Sequence, residues 1–218
     1  MRIPGLSLNK WIGGVVPILL LLGAGWWLYW PLRLDYGSVK DGIYRNRYFR
    51  LSLPVAGWHP ADMEAMKWRS EVLRENREPP SEMPPRPPAW KRPAIHLITI
   101  YDKPPQSIRG FTASFFVFAE KRSLRPGVRT SRGYLDAVFK EMLDQYPRGR
   151  IPDPAETVVV AGNEGIRMRI EWTQEGETFR QEYIAFERRG YFLSLVLTWR
   201  TAEERMRLGI PLDSIRFR

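Results

Sequence analysis

The chain contains no cysteine and only two histidines among its 218 residues. The first absence excludes disulfides and thiol nucleophiles, and it leaves the redox compartment unarguable from cysteine usage. With His59 and His96 in separate segments, a transition-metal site built on Cys and His has almost nothing to use. Gly-x-Ser-x-Gly elbows, phosphate-cradling glycine loops and dinucleotide fingerprints are also missing. So are internal repeats and long blocks of like charge. These absences point to a domain without catalysis, cofactor or metal. His59, beside Pro60, reads as a helix-start residue, and His96 as a packed or hydrogen-bonded imidazole inside a strand.

What the chain does have is an uncharged run from Trp11 to Trp30. Crossing a hydrocarbon layer of about 30 Å takes roughly 20 helical residues. Arg2 and Lys10 precede the run, Arg33 follows it, and Trp26, Trp27, Tyr29 and Trp30 crowd its far end, where amphipathic rings prefer the headgroup level. The expectation is a membrane anchor over 11–30, with Trp11, Leu20, Trp26, Trp27 and Trp30 among its contacts, a tail over 1–10 and a linker over 31–40. A cleaved secretory signal is the competing reading, with Gly23 and Gly25 before a new terminus at Trp26. The length of the run and its aromatic end favour an uncleaved anchor.

Residues 41–218 carry the composition of one folded domain: across the chain, aromatics are 13% and hydrophobic residues 44%. Net charge is +10, and 27 of the 34 basic residues are arginine, which suits an anionic partner or simply a cationic surface.

Asp41 to Pro54 reads as a hairpin, with Phe49, Leu51 and Leu53 alternating against polar neighbours. Helix formers dominate from Ala61 to Glu75, and the seven prolines between Arg77 and Pro93 predict an extended loop over 77–93. Ala94 to Tyr101 and Phe111 to Ala119 read as strands. A helix follows, capped by Thr130 or Ser131, with Tyr134, Leu135, Val138, Phe139, Met142 and Leu143 on one stripe. An antiparallel meander comes next: Thr157–Ala161, a turn over Gly162–Gly165, an alternating strand Ile166–Trp172, then Thr178–Phe186 and Tyr191–Trp199. Thr201 caps a short helix through Leu208, and Ser214–Phe217 extends the end. Trp58, Trp172 and Trp199 are most economically core residues. The class is α+β: an amino-terminal transmembrane helix, then a largely antiparallel sheet flanked by helices in an α/β/α sandwich.

The stretch Tyr44 to Pro54, followed by Gly57-Trp58, resembles the opening of the PsbP-like superfamily, which includes the photosystem II extrinsic protein, the Ran-binding Mog-type proteins and bacterial DcrB-like proteins. The close is similar too: Tyr191 to Trp199, a short helix at Ala202 to Arg207, then Leu212 to Phe217. The resemblance spans nearly all of 41–218 and implies a sheet sandwiched between helices, a protein partner and no catalysis. It transfers no site residue. The proline-rich 77–93 departs from the pattern, and the export of many bacterial relatives implies an extracytoplasmic domain.

The functional expectation is therefore a single-pass, non-catalytic binding or accessory domain engaging a protein partner at a bacterial inner membrane, on its periplasmic side. Counting Arg33, Lys40, Arg45, Arg47 and Arg50 against Arg2 and Lys10 would keep the domain cytoplasmic, but long domains escape that rule. Two alternatives stay open. One is a membrane-surface module that grips anionic lipid through Arg45, Arg47 and Arg50. The other is a hydrolase with a carboxylate pair drawn from Glu171, Glu175, Glu177 and Glu182, which solvated strand edges explain more cheaply. Tyr44, Tyr48 and Phe49 interleave with arginines as in a stacking platform, yet no nucleic-acid signature accompanies them.

Overall fold

A computed structural model describes residues 34–61, 94–104, 111–145, 147–174 and 176–218. Within them twelve strands form two sheets, and every pairing is antiparallel. The smaller sheet runs β1 (Ser38–Lys40), β2 (Ile43–Asn46), β3 (Leu51–Pro54) and β12 (Arg216–Phe217). The larger runs β4 (His59–Ala61), β5 (Ala94–Tyr101), β6 (Ser114–Lys121), β11 (Tyr191–Trp199), β10 (Glu177–Arg188), β9 (Asn163–Gln174) and β7 (Gly149–Arg150), with β8 (Glu156–Val160) also paired to β9. The helices are α1 (Ser131–Gln145) and α2 (Ala202–Ser214), beside a single 3₁₀ turn at Arg122–Leu124.

Alternation in the long strands separates two cores. On one face of the large sheet Phe115, Val117, Ile184, Leu193, Leu195 and Leu197 pack with Phe49, Leu51 and Leu53 of the small sheet and Leu208 of α2. On the other, Met168, Ile170, Tyr183, Phe192 and Val196 lie under Tyr134, Leu135 and Phe139 of α1. α1 starts where Thr130 Oγ1 accepts from Gly133 N at 3.1 Å, which settles the cap on Thr130. α2 opens with a capping box between Thr201 and Glu204.

Two-residue turns drive the architecture. Asp41-Gly42, Ala161-Gly162 and Arg189-Gly190 each join paired strands with φ positive at both residues, the geometry that matches strand twist. Because each turn is so short, nearly all intervening residues become strand, and β9 and β10 reach 12 residues each.

This corrects the expected class. The described chain is predominantly β, and one face of the large sheet is covered by a second sheet together with α2, so it is no sheet between two helical layers. Among the described residues no helix is long and apolar enough to cross a membrane, so the expected single-pass anchor is not supported. The segment assigned to it, with Trp11, Leu20, Trp26, Trp27 and Trp30, lies outside the described residues, as do the helix expected up to Glu75 and the proline-rich 77–93.

Smaller expectations shift as well. His59 and Pro60 open no helix. They form the edge strand β4 against Tyr101 and Ile100, where a proline without an N–H is tolerated. The turn expected over Gly162–Gly165 is Ala161-Gly162, and Asn163 to Gly165 already belong to β9. Gly165 serves another purpose: a Cβ there would lie 2.6 Å from the Phe186 ring. α2 runs past Leu208 and through Pro211 to Ser214.

Candidate functional site

The three arginines singled out from the sequence fall on a strand and on the turn that follows it. Arg45 sits on β2, exposed, between Ser38 and Ser52 in register. Arg47 and Arg50 stand on the β2–β3 turn, also exposed. The buried Asn46 shapes that turn: its Oδ1 accepts from Phe49 N at 2.9 Å while Arg50 N donates to Arg47 O.

That turn is docked on the β10–β11 turn, which no motif search of the sequence had flagged. Tyr48 Oη donates to Arg189 O at 2.9 Å, and Arg188 Nε donates to Phe49 O at 2.7 Å. Arg188 Nη1 reaches Asn163 Oδ1 at the start of β9 at 3.1 Å, and its guanidinium lies 4.8 Å from the Phe217 ring centre. Tyr48, Phe49 and Tyr191 meet edge to face, and Arg189 lies 5.6 Å over the Tyr48 ring. Two turns, the start of β9 and the last strand thus converge, presenting Arg50, Arg188 and Arg189.

The electrostatics of this end are one-sided. Burial holds the Arg188 guanidinium below its ordinary pKa, and the charges of Arg189 and Arg50 push the same way. Among the described residues no carboxylate pairs with Arg50, Arg188 or Arg189. Other arginines are neutralised: Arg122 by Glu187 at 2.8 Å beside the same turn, Arg125 by Glu120 at 2.8 Å and Arg207 by Asp102 at 2.7 Å.

The carboxylates proposed for hydrolysis are taken up in the same way. Glu182 is fully buried between Arg169 (2.9 Å) and Arg205 (2.7 Å). Glu171 meets Arg180 at 2.9 Å and also Arg150, and Glu177 pairs with Arg200. Glu175 lies outside the described residues.

A shallow recess of about 230 Å³ lies between β1 and β2 on one side and β4 and β5 on the other, lined by Tyr36, Tyr44, Pro60 and His96 among others. Its polar groups are engaged. Tyr44 Oη donates to Tyr36 O at 2.8 Å, burial drives that phenol's pKa far up, and His96 Nε2 lies 2.7 Å from Thr99 Oγ1 while its ring stacks on Phe116. His96 is the hydrogen-bonded, packed imidazole expected of it. Among the described residues no group of His, Asp and Glu is arranged to hold a metal. Trp199 is buried, and Trp58 and Trp172 pack half-buried against the two cores.

No family model and no curated protein matches the chain. Solved structures similar to it include a protein of unknown function from Pseudomonas aeruginosa described as a putative regulator, 19% identical, covering 57% of this chain and 81% of its own with a TM-score of 0.40. Another is LpqN of Mycobacterium tuberculosis, described as involved in cell envelope biogenesis, 11% identical, covering 61% of this chain and 80% of its own with a TM-score of 0.36. Neither match assigns the chain to the PsbP-like superfamily.

Proposed function

We propose that the protein is a non-catalytic binding domain that engages an acidic segment of a protein partner at the Arg50, Arg188 and Arg189 end. The observation that carries this is the docking of the β2–β3 turn on the β10–β11 turn. It holds three guanidiniums close together, and among the described residues no carboxylate pairs with any of them. Arg188 is spent on Phe49 O and Asn163 and acts as the fixed centre, while Arg50 and Arg189 face solvent. Planar guanidiniums recognise carboxylates by paired hydrogen bonds, and a rigid mount lowers the ordering cost of binding. The extracytoplasmic setting expected from the sequence belongs to this proposal.

The test is titration of the whole chain with a fluorescent oligoglutamate peptide at low and physiological salt. Wild type should bind, and more weakly as salt rises. Arg50→Glu with Arg189→Glu should weaken binding by about 100-fold, on the basis of roughly 10-fold for each reversed contact. Arg45→Glu, on β2 and outside that turn, should change it little. Equal binding by the double variant and wild type ends the proposal. Preference for anionic vesicles over the peptide favours the lipid reading instead.

A further inference from the structure

At the other side of the large sheet, β8 forms an outer edge that nothing described covers. Its sequence is Glu156-Thr-Val-Val-Val160, and Val159 is 71% exposed, among the most exposed large apolar side chains described. Because the Ala161-Gly162 turn has two residues, Val160 and Asn163 are the hydrogen-bonded pair that flanks it. Alternation then turns the backbone groups of Val160, Val158 and Glu156 inward to β9. Those of Thr157 and Val159 point outward, two N–H and two C=O groups with no described strand beside them.

The geometry points to a second copy of this chain as the occupant, joined β8 to β8 about a two-fold axis through Val158. In that register Thr157 of each copy faces Val159 of the other, so the outward groups of both strands satisfy one another in four hydrogen bonds. Val158 meets its own counterpart on the face that also carries Val160. The ends fit as well: Pro154, which has no N–H to offer, falls opposite Gly162, where the partner chain turns away into its β9. The charges also allow it. Glu156 is the strand's only ionised side chain. It is neutralised by Arg167 at 2.6 Å and falls opposite Val160 of the other copy. Two chains of net charge +10 therefore meet along an edge that opposes no like charges. An isologous contact of this kind closes at two subunits.

The absence of cysteine makes the register directly testable. In the non-hydrogen-bonded pair Val158 and its counterpart have Cα atoms about 4.5 Å apart, within disulfide reach, whereas two copies of residue 157 are offset along the strands. Val158→Cys in the full chain should cross-link to a dimer under mild oxidant at least 10-fold faster than Thr157→Cys. Sedimentation of wild type should show a concentration-dependent dimer, weak because the contact is small. Val159→Lys should shift its dissociation at least 10-fold, while Met206→Lys, equally exposed but on α2, leaves it unchanged. Circular dichroism of each variant checks that it is folded. A wild-type chain that stays monomeric at several hundred micromolar overturns the inference, and so does equal cross-linking of the two cysteine variants.

Discussion

Arg189 occupies a backbone position that asparagine or glycine fills more comfortably. Its φ is +50°, in the left-handed region, as are Ala161 at +48° and Asp41 at +52° in the equivalent turns. A residue with a Cβ costs about 1 kcal/mol there, and asparagine least among them. Arg189→Asn should therefore raise stability by about 0.5–1 kcal/mol in denaturant melts while weakening oligoglutamate binding about 10-fold. Ala161→Asn should give the same stabilisation and leave binding alone. A loss of stability in both variants contradicts the turn geometry. The X-Gly pairs were visible in the sequence, but their strand-joining role at Ala161-Gly162 was masked by Gly165, whose reason for being glycine is the Phe186 ring. The pairing of Arg188 with Phe49 O spans 139 positions, and no local pattern announces a contact at that range.

At the level of elements, legibility followed period. Ala94–Tyr101 and Tyr191–Trp199 were read to the residue as β-rich runs, both largely buried in the sheet, and α1 was found from its apolar stripe, because each rests on a local pattern. The layer arrangement was not legible, since it depends on which face of the large sheet the small sheet covers. Nor was the role of Glu182, which looks like an ordinary wet-face residue in β10. Its partners come from 13 and 23 positions away, on β9 and α2, and together they seal the carboxylate completely. Arg205 also lies 5.4 Å over Trp199, so this contact fastens α2 to the sheet. Replacing both Arg169 and Arg205 by Met leaves a buried, unpaired carboxylate, and about 3–5 kcal/mol of stability should be lost in urea melts. Adding Glu182→Leu to that pair should recover much of the loss, because an apolar side chain needs no partner there. A triple variant no more stable than the double contradicts the ion-pair account of how α2 is held.

Across the whole molecule the arginine excess has a second consequence, in acid. Hydrogen bonds from Arg125 and Arg167 hold the carboxyls of Glu141 and Glu156 below their ordinary 4.5. For Glu171 burial pushes upward, but the hydrogen bond from Arg180 and the charge of Arg150 outweigh it, and it too ends below 4.5. A carboxyl with a depressed folded-state pKa binds fewer protons folded than unfolded, so its stabilisation is present above 4.5 and lost as pH falls through the folded value. Protonation also removes negative charge from a chain already at +10, so the arginines repel one another more as their partners are neutralised. The melting temperature should stay level from pH 7 to about 5 and decline steadily below 4.5. Replacing Arg125, Arg167 and Arg180 by Met returns the three carboxyls toward their ordinary value. At pH 7 the exposed Glu141 and Glu156 pairs then cost no more than about 1 kcal/mol each, the more buried Glu171 pair costs more, and the decline between pH 4.5 and 3 becomes shallower. Equal losses in wild type and variant over that interval would show that these ion pairs do not set the acid limit of the fold.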